Sequence, residues 1–482
     1  MASYSCSNKT IHFWAIGSIA DYWMFSTFIL ILPIFTTTFG MDPRLVGTAL
    51  ALPRLLDAIL DPIIGHLSDN THTRWGRRRP FLFVTAVMGA ILCEGIWWMG
   101  QGWSSTCQLI FLTVMSTLLF ATWGTYNMNH MALGYELTDD YDARTKVQAL
   151  RGPYFSLAAV GGGWIYWLAE RPIFGSEIIG IRWVSLGVVT TLLIAALITI
   201  FNCKERFNSA NKQHVNLFKA IAATLRNRPF LVIVLLRAVS TFGLNVWNTM
   251  QFYVIAYSVC AGDKILANSL SGFVAFGGIV MSVVMVPAGV KLTKVLGKKI
   301  GLISSYGAVF VSFLIFPLLA RPGHLYIYVA FQLCIFSFAS SLNLLFINSS
   351  IPDICDIDEL ESGERREGLF AAVLSFFGKL QGSACILIGG FLLSYSGFDT
   401  VKAAASIQQT PDVVEKLRWL GFGPAIFFMG ITFGLSFLFP LTRKKMDEVR
   451  AQLDERKKSQ SRSEASLSES IQSETSAEEL VS

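Results

Sequence analysis

Long apolar runs broken by short polar stretches recur twelve times along this chain. They cover approximately 12–38, 45–68, 80–99, 108–134, 152–170 and 182–202, then 230–258, 268–293, 299–319, 324–350, 366–395 and 420–442. Each approaches or exceeds the ~20 mostly apolar residues that a helix needs to cross a bilayer. Lipid offers no partner to a bare N–H or C=O, so such runs become helices, not open strands. The polar stretch 203–229 divides them six and six. The pattern predicts an all-α polytopic membrane protein with an N-terminal half over 1–202, a linker over 203–229 and a C-terminal half over 230–442. A tail over 443–482 starts as a charged, helix-like run and turns Ser/Glu-rich; lacking apolar residues for a core, it is expected to be disordered from about 459. The first run contains Asp21 and is too long for a signal-peptide core, so it reads as the first spanning helix.

Composition agrees with lipid as the solvent. Of 482 residues, 53% are hydrophobic and only 15% charged, against about 25% charged in soluble domains. The net charge of +6 does not indicate nucleic acid, because the basic residues sit in short loops between apolar runs. Taking the N-terminus as cytoplasmic, loops and termini on that side hold 28 Lys and Arg, and those on the other side hold eight. That bias predicts cytoplasmic N- and C-termini in a cell (inner or plasma) membrane. The cytoplasmic side is therefore the basic-rich face. The eight cysteines are scattered singly, with neither metal-site nor disulfide spacing.

Five ionisable residues fall well inside the apolar runs: Asp21, Arg54, Asp57, Asp61 and Lys379. Each costs ~2.5–3.5 kcal/mol to insert, so their retention points to a functional site. Arg54, Asp57 and Asp61 are three and four apart and share one helix face. Two carboxylates one turn apart raise the affinity of the pair for a proton, and the set of five carries one excess negative charge, which a single proton or Na⁺ would neutralise. Pro62 follows and can free carbonyls near the pair. Asn127, Asn129 and His130 cluster in the fourth run, as an interhelical hydrogen-bond set or a substrate contact. Trp123, Tyr126 and Trp247 are aromatic candidates for stacking on a sugar ring.

A weak internal repeat links the halves. The loop after the second run reads Gly65 to Asp69, then Arg74-Trp-Gly76-Arg-Arg-Arg79; the loop after the eighth reads Gly289 to Thr293, then Gly297-Lys-Lys299. A glycine followed by a basic cluster at matched positions indicates duplication, the architecture of major facilitator transporters.

The run Arg54-Leu-Leu-Asp57-Ala-Ile-Leu-Asp61-Pro62, followed by Ser68-Asp69 and Arg74-Trp-Gly-Arg-Arg-Arg-Pro-Phe81, resembles the glycoside–pentoside–hexuronide:cation symporters of the major facilitator superfamily. Further matches are Asp21, Arg144 with Arg151 seven residues on, Asp353-Ile-Cys-Asp356 and Lys379. The resemblance extends to about residue 445. It implies a fold of twelve transmembrane helices in two six-helix halves. It also implies that Asp57 and Asp61 bind the coupling cation, Asp21 and Arg151 hydrogen-bond substrate hydroxyls, Lys379 links the two sites, and Arg54 pairs with the acids. Two departures bear on the ion. Asn129 stands where the family often has a carboxylate serving cation and sugar, and Leu60 replaces a polar residue beside the second aspartate. Na⁺ needs several oxygens whereas a proton needs one carboxylate, so H⁺ is expected over Na⁺. Asp69, Arg77, Arg78, Arg144, Asp353 and Asp356 form a candidate cytoplasmic gate, with the acidic stretch expected to pair with the arginines.

The resulting expectation is cation-coupled symport of a sugar or glycoside by alternating access. Asp57 and Asp61 hold the cation, Asp21, Arg151, Asn129, Trp123 and Tyr126 the substrate, and Arg54 and Lys379 the charge network. No cofactor beyond the ion is expected, nor a metal other than Na⁺ at that pair. Two other readings stay open: a uniporter or lipid-type carrier on the same fold, and a transport-inactive sugar sensor. Nothing indicates an enzyme, for no acid/base pair or nucleophile motif rises above background.

Overall fold

The computed structural model describes residues 7–71, 73–100, 102–137, 141–203, 228–362 and 367–439, with single positions between 446 and 455. The described residues are almost wholly helical. In the first half these are α1 (Asn8–Thr37), α2 (Pro43–Asn70), α3 (Arg79–Gly95), α4 (Ser105–Glu136), α5 (Tyr141–Gly162), the short α6 (Ile165–Ala169) and α7 (Glu177–Asn202). The second half has α8 (Arg228–Tyr253), extended by a π-turn over Val254–Val259, and α9 (Lys264–Leu319). It continues with α10 (Leu325–Phe331), a second π-turn over Gln332–Phe336, α11 (Ser337–Ser362), α12 (Glu367–Tyr395), α13 (Thr400–Ala404) and α14 (Pro411–Ser436). The long run α9 breaks at Gly297, whose backbone (φ 75°, ψ 165°) is open essentially only to glycine. Gly76, its counterpart in the repeat, also has a positive φ of 106°.

Local chemistry sets several helix ends. Asp42, Ser104, Ser176 and Asp263 cap the N-termini of α2, α4, α7 and α9 by accepting from backbone N–H groups of the first turn. Pro33 lies inside α1, and Thr36 and Thr37 donate to its carbonyl near the helix end.

Ten helical stretches among the described residues are long and apolar enough to cross a membrane. The long helices outside that set are α2 and α5, which carry the Arg54–Asp61 triplet and the Arg144/Arg151 pair. The fifth helix also differs from its expected bounds: it begins at Tyr141 instead of 152 and stops at Gly162. The polar start could not be told from loop, because hydropathy is blind to a charged helical turn. The last helix begins at Pro411, not at 420, for the same reason. Its first turns carry Asp412, Glu415, Lys416 and Arg418, which pair along the helix. The acidic stretch Asp353–Glu361, expected as loop, is the last part of α11.

The two halves repeat one packing scheme. In the first, α1 packs on α7 and α5, α4 on α2 and α3, and α3 on α7. In the second, α8 packs on α14 and α12, α11 on both segments of α9, and α9 on α14. Between halves, α2 crosses α12 and α5 crosses α9. Both crossings are close at the basic-poor face. A Cβ on Gly47 would stand 3.1 Å from the Gly390 Cα, and one on Gly163 would stand 3.1 Å from the Gly272 Cα. That face is closed by backbone meeting backbone. Apolar side chains such as Val84, Ile91, Ile173 and Trp183 cover the outside of the bundle, as lipid requires.

The interdomain linker expected over 203–229 lies outside the described residues beyond Cys203, as does the tail from 459. Where the tail is described, Met446, Val449 and Leu453 are buried in one apolar cluster with residues of α8, α9 and α11.

Candidate substrate and cation sites in the membrane core

Asp21 is the best-defined charge inside the bundle. It sits midway along α1, is 1% exposed, and accepts hydrogen bonds on both oxygens. Trp123 Nε1 donates to Oδ1 at 2.8 Å, and Asn127 Nδ2 reaches both oxygens at 2.9 and 2.8 Å. Arg151 Nη2 completes the set at 2.7 Å from Oδ2. Trp123 and Asn127 are one turn apart on α4, so both point at α1, and Arg151 comes from α5. Burying the carboxylate is tolerable because it is paired and fully hydrogen-bonded. Aromatic rings surround it: Phe25 stacks on Trp123 at 5.1 Å, Tyr22 meets Phe155 edge-on at 5.1 Å, and Arg151 lies 5.7 Å from the Phe155 ring centre. Gly161 and Gly162 let the Trp23 and Tyr22 rings approach α5. The half-buried Arg151, Trp123 and Asn127 thus combine hydrogen-bonding groups with stacking faces.

Other expected substrate contacts are placed elsewhere. Tyr126 is fully buried, donates to the Gly17 carbonyl at 3.2 Å and stacks on His130. Asn129 is fully buried, accepts from Ser68 Oγ at 2.5 Å and donates to the Thr125 carbonyl at 2.9 Å. His130 stacks on Trp14, and the two exchange bonds to each other's backbone carbonyls. This group ties α1, α2 and α4 together through bonds of its own, with Tyr126 and His130 still within electrostatic reach of Asp21. Trp247 is buried and stacked on Phe422 at 4.3 Å.

Asp57 and Asp61 occupy successive turns of α2, but their side chains lie outside the described residues, as do those of Asp69 and Arg144. Arg54 can be placed. Its guanidinium lies 5.5 and 5.6 Å from the Phe28 and Phe120 ring centres and touches the position a Cβ on Gly382 would take. Gly382 is three residues beyond the half-buried Lys379 on α12. Arg54 and Lys379 are thereby carried on the two helices that cross between the halves. Arg151 alters the sequence-level charge count. With Asp21 neutralised by Arg151, the remaining set has two carboxylates, Asp57 and Asp61, against two cations, Arg54 and Lys379.

At the basic-rich face, Arg77 pairs with Glu136 at 2.6 Å, and Arg78 donates to Ser68 at 2.9 Å with Glu136 3.6 Å away. In the second half, Lys298 pairs with Asp353 at 2.5 Å. These described pairs join residues of the same half, not the acidic stretch to the arginines. Arg77 follows Gly76, and Lys298 follows Gly297. Glu136 ends α4, and Asp353 lies towards the end of α11, the helix matched to α4 by the packing scheme. The glycine–base–acid arrangement is the same in both halves. Asn127 was singled out only as part of a cluster with Asn129 and His130, and Glu136 and Lys298 were missed as site residues. The four-residue spacing from Trp123 would have found Asn127, but nothing in the sequence marks the other two among ordinary loop charges.

A bundle of long apolar helices in two similarly packed halves, with a neutralised ion pair at its core, defines a multi-pass membrane transporter of the major facilitator class. The family described as MFS/sugar transport protein matches residues 13–443, and the chain belongs to it; it is a transporter and not an enzyme. It is 25% identical over 465 residues to the glucuronide carrier protein homolog of Escherichia coli K12, covering 94% of this chain and 96% of that protein. It is also 23% identical over 445 residues to the isoprimeverose transporter of Lactiplantibacillus pentosus, covering 87% of this chain and 85% of that protein. Among solved structures, a bacterial homologue of the human lysosomal transporter Spinster superposes with a TM-score of 0.62 at 15% identity, covering 90% of this chain and 97% of that one. That likeness shows the fold.

Proposed function

We propose that the protein is a secondary active symporter that couples a cation, H⁺ in preference to Na⁺, to uptake of a sugar or glycoside across the plasma membrane. The supporting observation is the Asp21–Arg151–Trp123–Asn127 constellation: a buried carboxylate holding three donors among aromatic rings, within a sugar-transport family. Hydroxyl groups of a sugar compete for those donors and for Asp21, and a ring face stacks on Trp123. Twelve spanning helices with both termini cytoplasmic, divided at 203–229, provide two halves that rock about the site.

Cation binding belongs to Asp57 and Asp61. With Arg54 and Lys379 on the crossing helices α2 and α12, the four charges balance when no ion is bound. A proton on the pair releases a cation from it, which changes how α2 and α12 attract each other and so biases which face is open. Asn129 supports H⁺, since it leaves Na⁺ without a carboxylate at that position and its own amide is bonded to Ser68 and Thr125. On the basic-rich face, the gate comprises Asp69, Arg77, Arg78, Arg144, Asp353 and Asp356, with Glu136 and Lys298 as partners.

The test is sugar uptake by proteoliposomes under an imposed pH or Na⁺ gradient. Accumulation driven by the pH gradient and lost in Asp57→Asn is the expected result. Equal accumulation with neither gradient, or an intact response in Asp57→Asn, overturns the assignment.

A further inference from the structure

Away from the core, a second buried polar cluster bridges the halves at the basic-poor face. Glu170 closes α6 and is 9% exposed; neither carboxylate oxygen makes a well-aligned hydrogen bond, although the Asn268 side chain lies within hydrogen-bonding reach. Opposite it in the second half, Asn268 on α9 is 3% exposed with its Nδ2 likewise making no well-aligned bond. Tyr257, on the π-turn that ends α8, is 1% exposed, has an unpartnered hydroxyl, and lies within electrostatic reach of Glu170.

The nearby cations Lys264 and Arg171 act on Glu170 through space but bond to other groups, and Arg171 Nη2 makes no hydrogen bond. Lys264 Nζ binds Glu177 at 3.3 Å and the Thr37 carbonyl at 3.4 Å. Arg171 donates to the Trp167 carbonyl at 3.1 Å, with its guanidinium 4.0 Å from the Trp167 ring centre. Glu177, the other carboxylate facing Glu170, also accepts from Thr38. Tyr166, from α6 itself, bonds Thr37 and Thr38. Ionised, Glu170 would be a buried charge with only the Asn268 amide and the Tyr257 hydroxyl at hand to donate to it. As a carboxylic acid, it has one donor and one acceptor, the complement of an amide N–H and a phenol.

We propose that Glu170 is a proton-binding site distinct from the Asp57/Asp61 pair, loaded when the two halves close on the basic-poor face and emptied when they part there. The cluster exists only while that face is shut, because Lys264–Glu177 and Thr36–Tyr253 also span the halves. Parting them gives Glu170 back to water. Burial, the largest influence, raises the closed-state pKa to about 7. A carboxyl raised in the closed state and ordinary in the open one makes closure bind a proton. Acid therefore favours closure, and that advantage is lost as pH rises towards 7.

The experiment measures the distance between spin labels at Ile173 and Tyr326, exposed positions of the two halves at this face. It uses full-length protein in sugar-free proteoliposomes, with Cys6, Cys107 and Cys334 replaced by serine. Between pH 7 and 5 the closed-to-open ratio is expected to rise on the order of tenfold per pH unit. In Glu170→Gln it stays high and flat. A flat ratio with Glu170 in place, or the same slope in Glu170→Gln, overturns the proposal. The series is run on an Asp57→Asn/Asp61→Asn background, so that protons bound by the proposed cation pair contribute nothing to the slope.

Discussion

The ion pair at the centre of the first half sets the terms for every residue around it. Asp21 is 1% exposed and Arg151 is partly so, so removing the arginine strands a buried carboxylate, whereas removing both charges does not. Arg151→Gln is expected to destabilise the purified protein by ~3 kcal/mol, and Asp21→Asn combined with Arg151→Gln to recover most of it. Thermal unfolding followed by fluorescence checks this, and equal melting temperatures for the single and double variants would exclude the pair as a stability determinant. Sugar binding should stay lost in the double variant, because the donors are then no longer organised by a charge. In the sequence Asp21 was legible, since a carboxylate in an apolar run has no bland explanation. Its partner was not: Arg151 lies in a polar stretch that reads as loop, and was reached only through resemblance. Glu170 and Lys264 were less visible still, because charges beside helix ends are ordinary until their burial is known.

At the scale of helices, the crossings of α2 with α12 and α5 with α9 fix what the basic-poor face can do. Hydropathy located these helices from their apolar stretches, despite the charges that α2, α5 and α12 carry, yet it could not show that Gly47 meets Gly390 or that Gly163 meets Gly272. Those contacts depend on which face each helix turns to the other half. A Cβ on Gly390 would lie 2.6 Å from the Pro43 carbonyl oxygen and 3.0 Å from the Gly47 Cα, so even alanine wedges α2 away from α12. Gly390→Val is expected to hold this face open, retaining sugar binding while lowering uptake on the order of tenfold. Labelling of a cysteine introduced at Thr36, a buried position that meets Tyr253 of the other half, by a membrane-impermeant maleimide reads the state directly. Labelling no faster in the valine variant than in its parent would show that the crossing tolerates the side chain. Gly297 has a different constraint, set by its own backbone. Gly297→Ala should cost ~1–3 kcal/mol of stability through strain at a positive φ.

Over the whole molecule, one device is built twice. A positive-φ glycine places Arg77 against Glu136 in the first half and Lys298 against Asp353 in the second, at matched helix ends on the same face. Each pair staples the helix that starts after the glycine to the end of another helix of its own half. Each half can therefore move as a rigid body, leaving the crossings between halves as the place where motion occurs. Breaking one pair should loosen that half and blunt coupling, without touching the sugar or cation sites. Lys298→Asp sets two carboxylates together and is expected to lower gradient-driven uptake about tenfold while sugar affinity changes less than twofold. Exchanging the charges, with Asp353→Lys added to Lys298→Asp, restores the attraction and should restore most of the uptake. Uptake and equilibrium binding measured on the same proteoliposomes separate the two effects. If the exchange variant transports no better than Lys298→Asp alone, the pair acts through something other than its charge. The corresponding exchange of Arg77 and Glu136 would then decide whether only the first half depends on its staple, where Arg78 also approaches Glu136.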